Sequence, residues 1–480
     1  MAVDVLSAGM AAIPMQDAAL NGLRLVEYEL TLFAAFWFVI GIADELAVDL
    51  VYGWLRVFRR LRTHQLKADI SARPLQGIAA VLIPAWQEVA VIGATISHAL
   101  KVWPQADLRL YIGCYANDPA TLVAAMAAVG NDARVRIVIH EAQGPTTKAD
   151  CLNRLYRALC DDEARSGVPV RMIVLHDAED MVHPAALALM DTAITDADFI
   201  QIPVRPEPQA SSRWIAGHYM DEFTESHAKA MVVRDALGAA LPAAGVGCAF
   251  SRGVMSDMAR RNRLEGIGGP FEPECLTEDY ELGLMVARSG KTSRFVRLRD
   301  HDGALIATRS CFPASLPDAV RQKTRWVHGI AFQGWERMGW WGRPVDVWMA
   351  MRDRRGPLVA LVLAVAYFLI VLTPMLLLAD RASQSAVPAE SPLLKPMIVI
   401  CLCGLVWRAV MRFAFTAREY GAAEGLRAVL RIPVANVIAI MSGRRAFSAY
   451  LRSFFGHLPV WDKTEHKAHP ALMLVSAEAT

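Results

Sequence analysis

The sequence predicts an α/β domain on a mostly parallel, Rossmann-like sheet, joined to transmembrane and interfacial α-helices. Three observations predict it. Between about residues 70 and 355, short apolar runs of strand type alternate with segments of helical periodicity. On both sides of that stretch lie runs long and apolar enough to cross a bilayer. Charged clusters follow the strand-type runs, at what would be the carboxyl edge of the sheet, where open α/β sheets bind ligands.

The chain has 480 residues, 54% hydrophobic and only 20% charged, with a mean hydropathy of +0.28. Soluble domains usually carry more charge. A net charge of +2 gives no basic field for nucleic acid. Eight cysteines form neither a CxxC pair nor a zinc spacing, so reduced thiols are expected.

The apolar runs come first. Leu30 to Trp54 is a membrane candidate that also carries Asp44, Glu45 and Asp49, which mark the membrane edge or face other helices. No basic n-region or small-residue cleavage site accompanies it, so it reads as an anchor and not a signal peptide. Leu358 to Ala379 is an uncharged run of 22 residues with no polar face. Met397 to Thr416 is a third, with Arg408 and Arg412 toward its end, where they are expected to snorkel. Leu426 to Met441 contains Arg427, Arg431 and Pro433 and reads as interfacial, with a fourth span as the alternative. Arg56, Arg59, Arg60, Arg62 and Lys67 follow the first span, "RDRRG" precedes the second, and the tail after Thr416 is basic. The positive-inside rule then gives three spans, with the N-terminus out and the α/β domain and C-terminus in the cytoplasm.

Within the α/β region, "GIAAVLIP" (77–84), "LRLYIGCY" (108–115), "VRIVIH" (135–140) and "VRMIVLHD" (170–177) read as strands. "ATISHAL", "PATLVAAMAAV" and "KADCLNRLYRAL" (148–159) read as the helices between them. "PAWQE", "YANDP" and "HDAED" then fall together at one edge of the sheet.

"VLHDAEDMVHP", Val174 to Pro184, places three carboxylates and two histidines at the end of a strand. No GxGxxG, P-loop or HExxH is present. A carboxylate cluster with few histidines suits a hard cation, Mg²⁺ or Mn²⁺, and such ions commonly come with phosphates. Two other readings stand beside it. The acids could be a solvated turn capping the next helix. His176, Asp177 and His183 could belong to a metal phosphohydrolase, although such pairs are built on helices and this one ends a strand.

Further along lie "TEDYELG" (277–283) and "RQKTRW" (321–326). In the order "IPAWQE", "NDP", "TKADCLN", "DAED", "TED", "QKTRW" beside a membrane span, the sequence resembles membrane-embedded family 2 glycosyltransferases of GT-A fold. "QKTRW" resembles the QxxRW motif of their processive members. "YANDPAT", "LHDAEDMVHP", "HYMDEFTESHAK", "GVGCAFSR" and "WDKTEH" are similar to the inner-membrane bacteriophage adsorption protein B group. That group often carries a further C-terminal domain resembling the N-terminal domain of secretion ATPases. The sequence stops at Thr480, so that module, and cyclic-dinucleotide regulation through it, are not expected.

The resemblance implies a role for each motif. Pro84, Glu88 and Asp118 fall where the family grips uridine, and a carboxylate suits the imide N–H and ribose hydroxyls. Lys148 would neutralise a diphosphate. Asp177, with Glu179 or Asp180, stands for the DxD metal clamp, departing from it because the third residue is Glu. Asp279 is implied as the general base, with Glu278 beside it structural. Gln322 and Arg325 share a helix face, Arg325 suits pyrophosphate oxygens and Trp326 offers a surface to a sugar ring. Cys248 falls near the acceptor end of the pattern, although its bland alternative is a small packing residue.

The implied division is an N-terminal tail (1–24), a transmembrane helix (25–55), a basic linker (56–75), a GT-A domain (76–310), interfacial helices with QxxRW (311–356), a transmembrane hairpin (357–417) and a cytoplasmic or interfacial tail (418–480). The implied activity is inverting transfer from a UDP-sugar, with Mg²⁺ or Mn²⁺, to a saccharide or lipid-linked acceptor at the inner membrane. Three spans are few for a polysaccharide channel, which points to an outer-membrane export partner or a homodimer. A receptor or scaffold with a non-catalytic transferase domain is the alternative, and it predicts loss of the base, the clamp or QxxRW.

Overall fold

A computed structural model describes residues 15–58, 63–383, 391–456 and 468–473. Four expectations lie wholly or partly outside them. These are most of the N-terminal tail, the linker arginines 59, 60 and 62, the hairpin loop at 384–390, and "WDKTEH" at 461–466.

Nine strands form two sheets: β1 (Ile78–Pro84), β2 (Leu108–Tyr115), β3 (Val135–His140), β4 (Val170–Leu175), β5 (Phe199–Gln201), β6 (Val204–Pro206), β7 (Cys248–Ser251), β8 (Ser293–Phe295) and β9 (Thr308–Ser310). The main sheet has the order β3-β2-β1-β4-β7-β5-β8. All its pairings are parallel except those of β7, which runs antiparallel to β4 and β5. β6 and β9 form a short parallel pair of their own.

The central strand explains the layering. β1, "IAAVLIP", is buried on both faces, as a parallel strand between two helix layers must be. Ala79, Val81 and Ile83 face one layer, with Ile92, Ile96 and Trp103. Ala80 and Leu82 face the other, with Leu152 and Leu155 of the helix Lys148–Ser166. Truncating Leu152 or Leu155 to alanine there would cost ~2–5 kcal/mol.

Three helices among the described residues are long and apolar enough to cross a membrane: Ala19–Val57, Gly356–Arg381 and Leu394–Tyr420. The helices Ala422–Leu430 and Ile432–Ser453 meet at a 49° bend and count as a fourth if taken as one broken span. The second of them does not lie alone on a surface. A Cβ at Gly443 would collide with Ala360 of the helix Gly356–Ser383, and Ile438 packs with Ala319, Val320 and Tyr219.

The acids of the first long helix face protein and not a membrane edge. Asp44 and Glu45 pair with Arg352 and Arg355, and Asp49 bonds Lys229 at 2.6 Å and Trp407 Nε1 at 2.7 Å. Arg408, expected to snorkel, instead donates to Glu45 at 3.1 Å and Glu225 at 2.6 Å. Lys229, Asp49 and Glu225 are the buried members, with side chains at most 8% exposed, and removing one of these would leave an unpaired buried charge at ~3–5 kcal/mol. This network fixes the membrane helices to the α/β domain.

Candidate active site

A cavity of about 480 Å³ opens at the C-terminal edge of β1 and β4. Its wall brings together Pro84, Glu88, Lys148, Asp177, Glu179, Asp180, Asp279, Gln322, Arg325 and Trp326. Those residues come from positions 84 to 326, so the fold gathers most of the residues singled out in the sequence.

At one end, the chain leaves β1 at Pro84 and turns sharply, with Gln87 in the left-handed region at φ 54°. Asp118 holds that turn. Its Oδ2 accepts from Gln87 N at 2.6 Å, and its Oδ1 caps the helix Pro119–Val129 at Thr121 N, 3.4 Å. Thr121 Oγ1 in turn accepts from Glu88 N at 2.9 Å. Asp118, expected against the uridine, is not among the residues that line the cavity; each of its oxygens accepts from a backbone N–H, and it shapes the loop that presents Glu88. Trp86 is on the wall, edge-on to Tyr115 at 5.0 Å.

Lys148 opens its helix, where Thr147 and Asp150 form a capping box. Its Nζ lies 2.6 Å from Asp177 Oδ1. Burial disfavours the ammonium charge, but Asp177, Glu278 and Asp279 outweigh burial and hold the Lys148 pKa above its usual value.

The three acids of "DAED" do not act as one set. The Asp180 side chain is 1% exposed. Its Oδ2 lies 3.0 Å from both His176 Nδ1 and Asp177 N, because the turn after β4 folds back on itself. Burial pushes its carboxyl up, against the pull of His176. Among the described residues no group of three His, Cys, Asp or Glu is placed to hold a metal. The expected clamp is Asp177 with Glu179 or Asp180; all three line the cavity, and one Asp180 oxygen is engaged by His176 Nδ1 and Asp177 N. Two hard oxygen donors beside an ammonium fit a divalent cation that arrives with phosphate oxygens, and do not fit an all-protein cage. The histidines fit neither. His176 is buried against Asp180, and His183 is bound to Asp300 at 3.3 Å and to Ala185 N at 3.2 Å.

Asp279 stands in the first turn of the helix Glu278–Arg288, its Oδ1 accepting from Tyr280 N at 2.7 Å. Gly245 lies against it with φ 77°, and a Cβ there would collide with the Asp279 carboxylate, so only glycine lets the backbone pass. Burial raises the Asp279 pKa, opposed chiefly by Lys148. Glu278 is buried and off the wall, with Oε1 lacking a hydrogen-bond partner among the described residues. Burial and the neighbouring Asp279 charge push it up to about 7. Cys248, in β7, lies in the core and off the wall, which is its packing alternative.

Gln322, Arg325 and Trp326 share one face of the helix Leu316–Val327, capped by Ser315. Gln322 Oε1 is buried and has no hydrogen-bond partner among the described residues, an acceptor open to a hydroxyl. Trp326 is braced edge-on by Tyr219 at 6.1 Å. Beyond it, Gly329 is packed so closely on Thr277 that a Cβ would collide, which ties this helix to the start of "TED".

Two features escaped the sequence. The cavity runs on past Phe223 and Arg352 to Val48 of the first membrane-length helix. And the segment 468–473 packs against residues that line the cavity, with His469 Nε2 3.3 Å from the Asp180 carbonyl and Met473 Sδ 3.6 Å from Cys311 Sγ. Neither carries a local pattern from which it could have been read.

The family model described as glycosyltransferase like family 2 matches residues 76–329. The chain belongs to this family. Its sheet and flanking helices are the GT-A-like arrangement expected of a family 2 glycosyltransferase. Over 473 aligned residues, this family 2 chain is 32% identical to bacteriophage adsorption protein B of Escherichia coli (strain K12), covering 93% of this chain. The bacteriophage N4 adsorption protein B of Escherichia coli O157:H7 matches at the same identity and coverage. The chain spans 62% of the length of these curated relatives. Among solved structures, a mannosyltransferase from Pyrobaculum calidifontis in complex with GDP-Man and Mn²⁺ is 14% identical, with a TM-score of 0.47 over 84% of this chain and 99% of that one. Glucosyl-3-phosphoglycerate synthase from Mycobacterium tuberculosis with Mg²⁺ and UDP is 16% identical, with a TM-score of 0.34 over 55% of this chain and 80% of that one.

Proposed function

We propose that this family 2 protein is an inverting glycosyltransferase of the inner membrane, with its α/β domain in the cytoplasm. It moves a hexosyl or N-acetylhexosaminyl group from a UDP-sugar to a growing surface polysaccharide or a lipid-linked acceptor. One observation carries the reading: a single cavity is lined at once by a diphosphate-type cation (Lys148), two hard oxygen donors (Asp177, Glu179), a buried carboxylate (Asp279) and the QxxRW face, and it reaches a membrane-length helix.

Each residue then has a task. Glu88 and Trp86 border the uridine end. Lys148 offsets the charge of the diphosphate, and Asp177 with Glu179 would hold Mg²⁺ or Mn²⁺. When bound, that cation supplies Lewis-acid stabilisation of the leaving diphosphate. Asp279 accepts the proton of the acceptor hydroxyl as that oxygen bonds to the anomeric carbon and the bond to the UDP oxygen breaks from the opposite face. Gln322 and Arg325 hold sugar hydroxyl and pyrophosphate oxygens, and Trp326 packs on a sugar ring.

The test is UDP release and product length from membrane vesicles given a panel of UDP-sugars with Mg²⁺ or Mn²⁺. Release from none of them would overturn the reading. The relatives' name favours a second reading, a phage-adsorption component with a non-catalytic domain. That reading predicts adsorption unaffected by Asp279→Asn and no UDP release from any donor.

A further inference from the structure

A second cleft, of about 270 Å³, lies between the helices Lys148–Ser166 and Arg252–Leu264 and shares no lining residue with the cavity. Arg154 and Arg157 face it from the first helix, three residues apart and so on one side. Arg263 faces it from the second. Their neighbour Arg252 shows what a structural arginine looks like here: it grips Glu163 through two nitrogens and donates to Tyr156 at 2.9 Å. The cleft arginines are different. Arg157 and Arg263 have no ion pair among the described residues. Arg154 approaches only Glu141, through its buried Nε at 3.5 Å, a loose ion pair that does not reach hydrogen-bond geometry among the described residues. Glu141 and Asp161 also border the cleft, leaving a surplus of positive charge together with acceptors for hydroxyl groups.

We propose that this cleft is an effector site for a small phosphate monoester carrying hydroxyl groups. Planar guanidinium groups match phosphate oxygens in pairs, and the two acids match hydroxyl donors. The volume is little more than half that of the main cavity, which suits a sugar phosphate or mononucleotide better than a whole nucleotide-sugar.

The connections run to the reacting groups. Asn153, beside Arg154, latches Phe271 through both backbone groups, Nδ2 to O at 2.7 Å and N to Oδ1 at 3.0 Å. Gly269 borders the cleft so close to Asn153 that a Cβ would collide. From Phe271 the chain runs directly into Thr277 and Asp279. From Glu141, on the cleft's other side, it runs into Lys148. A ligand that draws the arginines together therefore moves the two loops that set the base and the diphosphate cation. The effect on turnover rests on the proposed transferase function; binding does not.

The experiment titrates inorganic phosphate, a hexose 1-phosphate and UMP into the purified full chain by calorimetry, with saturating UDP and Mg²⁺ to occupy the main cavity. At least one monoester should bind, and the three arms separate a bare phosphate from a sugar or nucleoside requirement. The double variant Arg157→Ala, Arg263→Ala should weaken it by about tenfold or more, the loss expected from a charge-assisted contact. Arg260→Ala, an exposed arginine of the same helix off the cleft, should leave it unchanged. UDP-sugar turnover should change at least about twofold on saturation in the parent and not in the double variant, a modest coupling by allosteric standards. No binding of any probe at about 10 mM, the weak end of the specific range, would overturn the site. So would binding that survives the double variant. Binding with no change in turnover of an active enzyme would overturn the effector role. An enzyme inactive on every donor would sink the proposed function while the titration still decides the site.

Discussion

Replacing Asp279 by asparagine separates chemistry from binding. Asparagine keeps the size and the Oδ1 acceptor for Tyr280 N, now at 2.7 Å, but cannot take a proton. A positioned general base is worth ~10²–10⁴ in rate, or ~3–5 kcal/mol of barrier, and turnover should fall by that much. UDP affinity should stay within about a few-fold, since the groups facing the nucleotide stay charged. Lys148 keeps Asp177 at 2.6 Å and keeps Glu278 as a second acid. Glu278, relieved of the Asp279 charge that helps to raise it, ionises more readily and replaces the lost negative charge. The assay is UDP release by purified protein, with calorimetric UDP binding on the same preparation. Glu278→Gln is the control and should be mild, because Glu278 is off the wall. An active Asp279→Asn beside an inactive Glu278→Gln would refute the assignment of the base, and loss of UDP binding in Asp279→Asn would refute the separation of roles.

Asp279 works only when deprotonated and its pKa is raised, so turnover should drop as pH falls through a value above the ordinary ~3.9 of an aspartate. Lys148 is its main counterweight, so Lys148→Met should move that acid limb to higher pH at saturating donor; a limb that moves down would refute the coupling. Asp118→Ala removes a helix cap and the Gln87 anchor. It should cost ~0.5–2 kcal/mol in chemical denaturation and raise donor KM while kcat holds; a fall in kcat with KM unchanged would refute a role confined to the loop that presents Glu88. A reporter active only in the periplasm should be active after Ala386 and silent after Arg62 and Lys463; activity at Arg62 would reverse the orientation.

The four parallel strands β1 to β4 were legible because each is a short, mostly apolar run of strand formers; β1, β2 and β4 are buried nearly throughout, while β3 at the sheet edge is only partly so. Their observed bounds, 78–84, 108–115, 135–140 and 170–175, sit within two residues of the expected ones. β5, β6, β8 and β9 were not, since three residues carry no periodicity, and nothing local marks β7 as reversed. Within the site, residue type was a better guide than residue role. Asp118 precedes a proline at a helix start, the signature of an N-cap, and capping is where its oxygens go. Asp180 looks like Asp177 in the sequence, yet a histidine four residues earlier draws it inside. Asp44, Glu45 and Asp49 could be read as edge or interior, and only distant partners decide it: Arg352, Arg355 and Arg408 for the first two, Lys229 and Trp407 for Asp49.

The His469 contact sets an order of events. Its carbonyl partner, Asp180, lies 289 residues upstream. During synthesis the ribosome delivers the sheet, the base and the QxxRW helix first, then the two helices of the hairpin, and the segment that lies along the Asp180 loop only afterwards. The turn that carries Asp180 therefore waits for its His469 partner until both hairpin helices have been made. A nascent chain short of residue 469 would hold the sheet, its acids and its lysine, with that turn fastened only by the local bonds of Asp180 to His176 Nδ1 and Asp177 N.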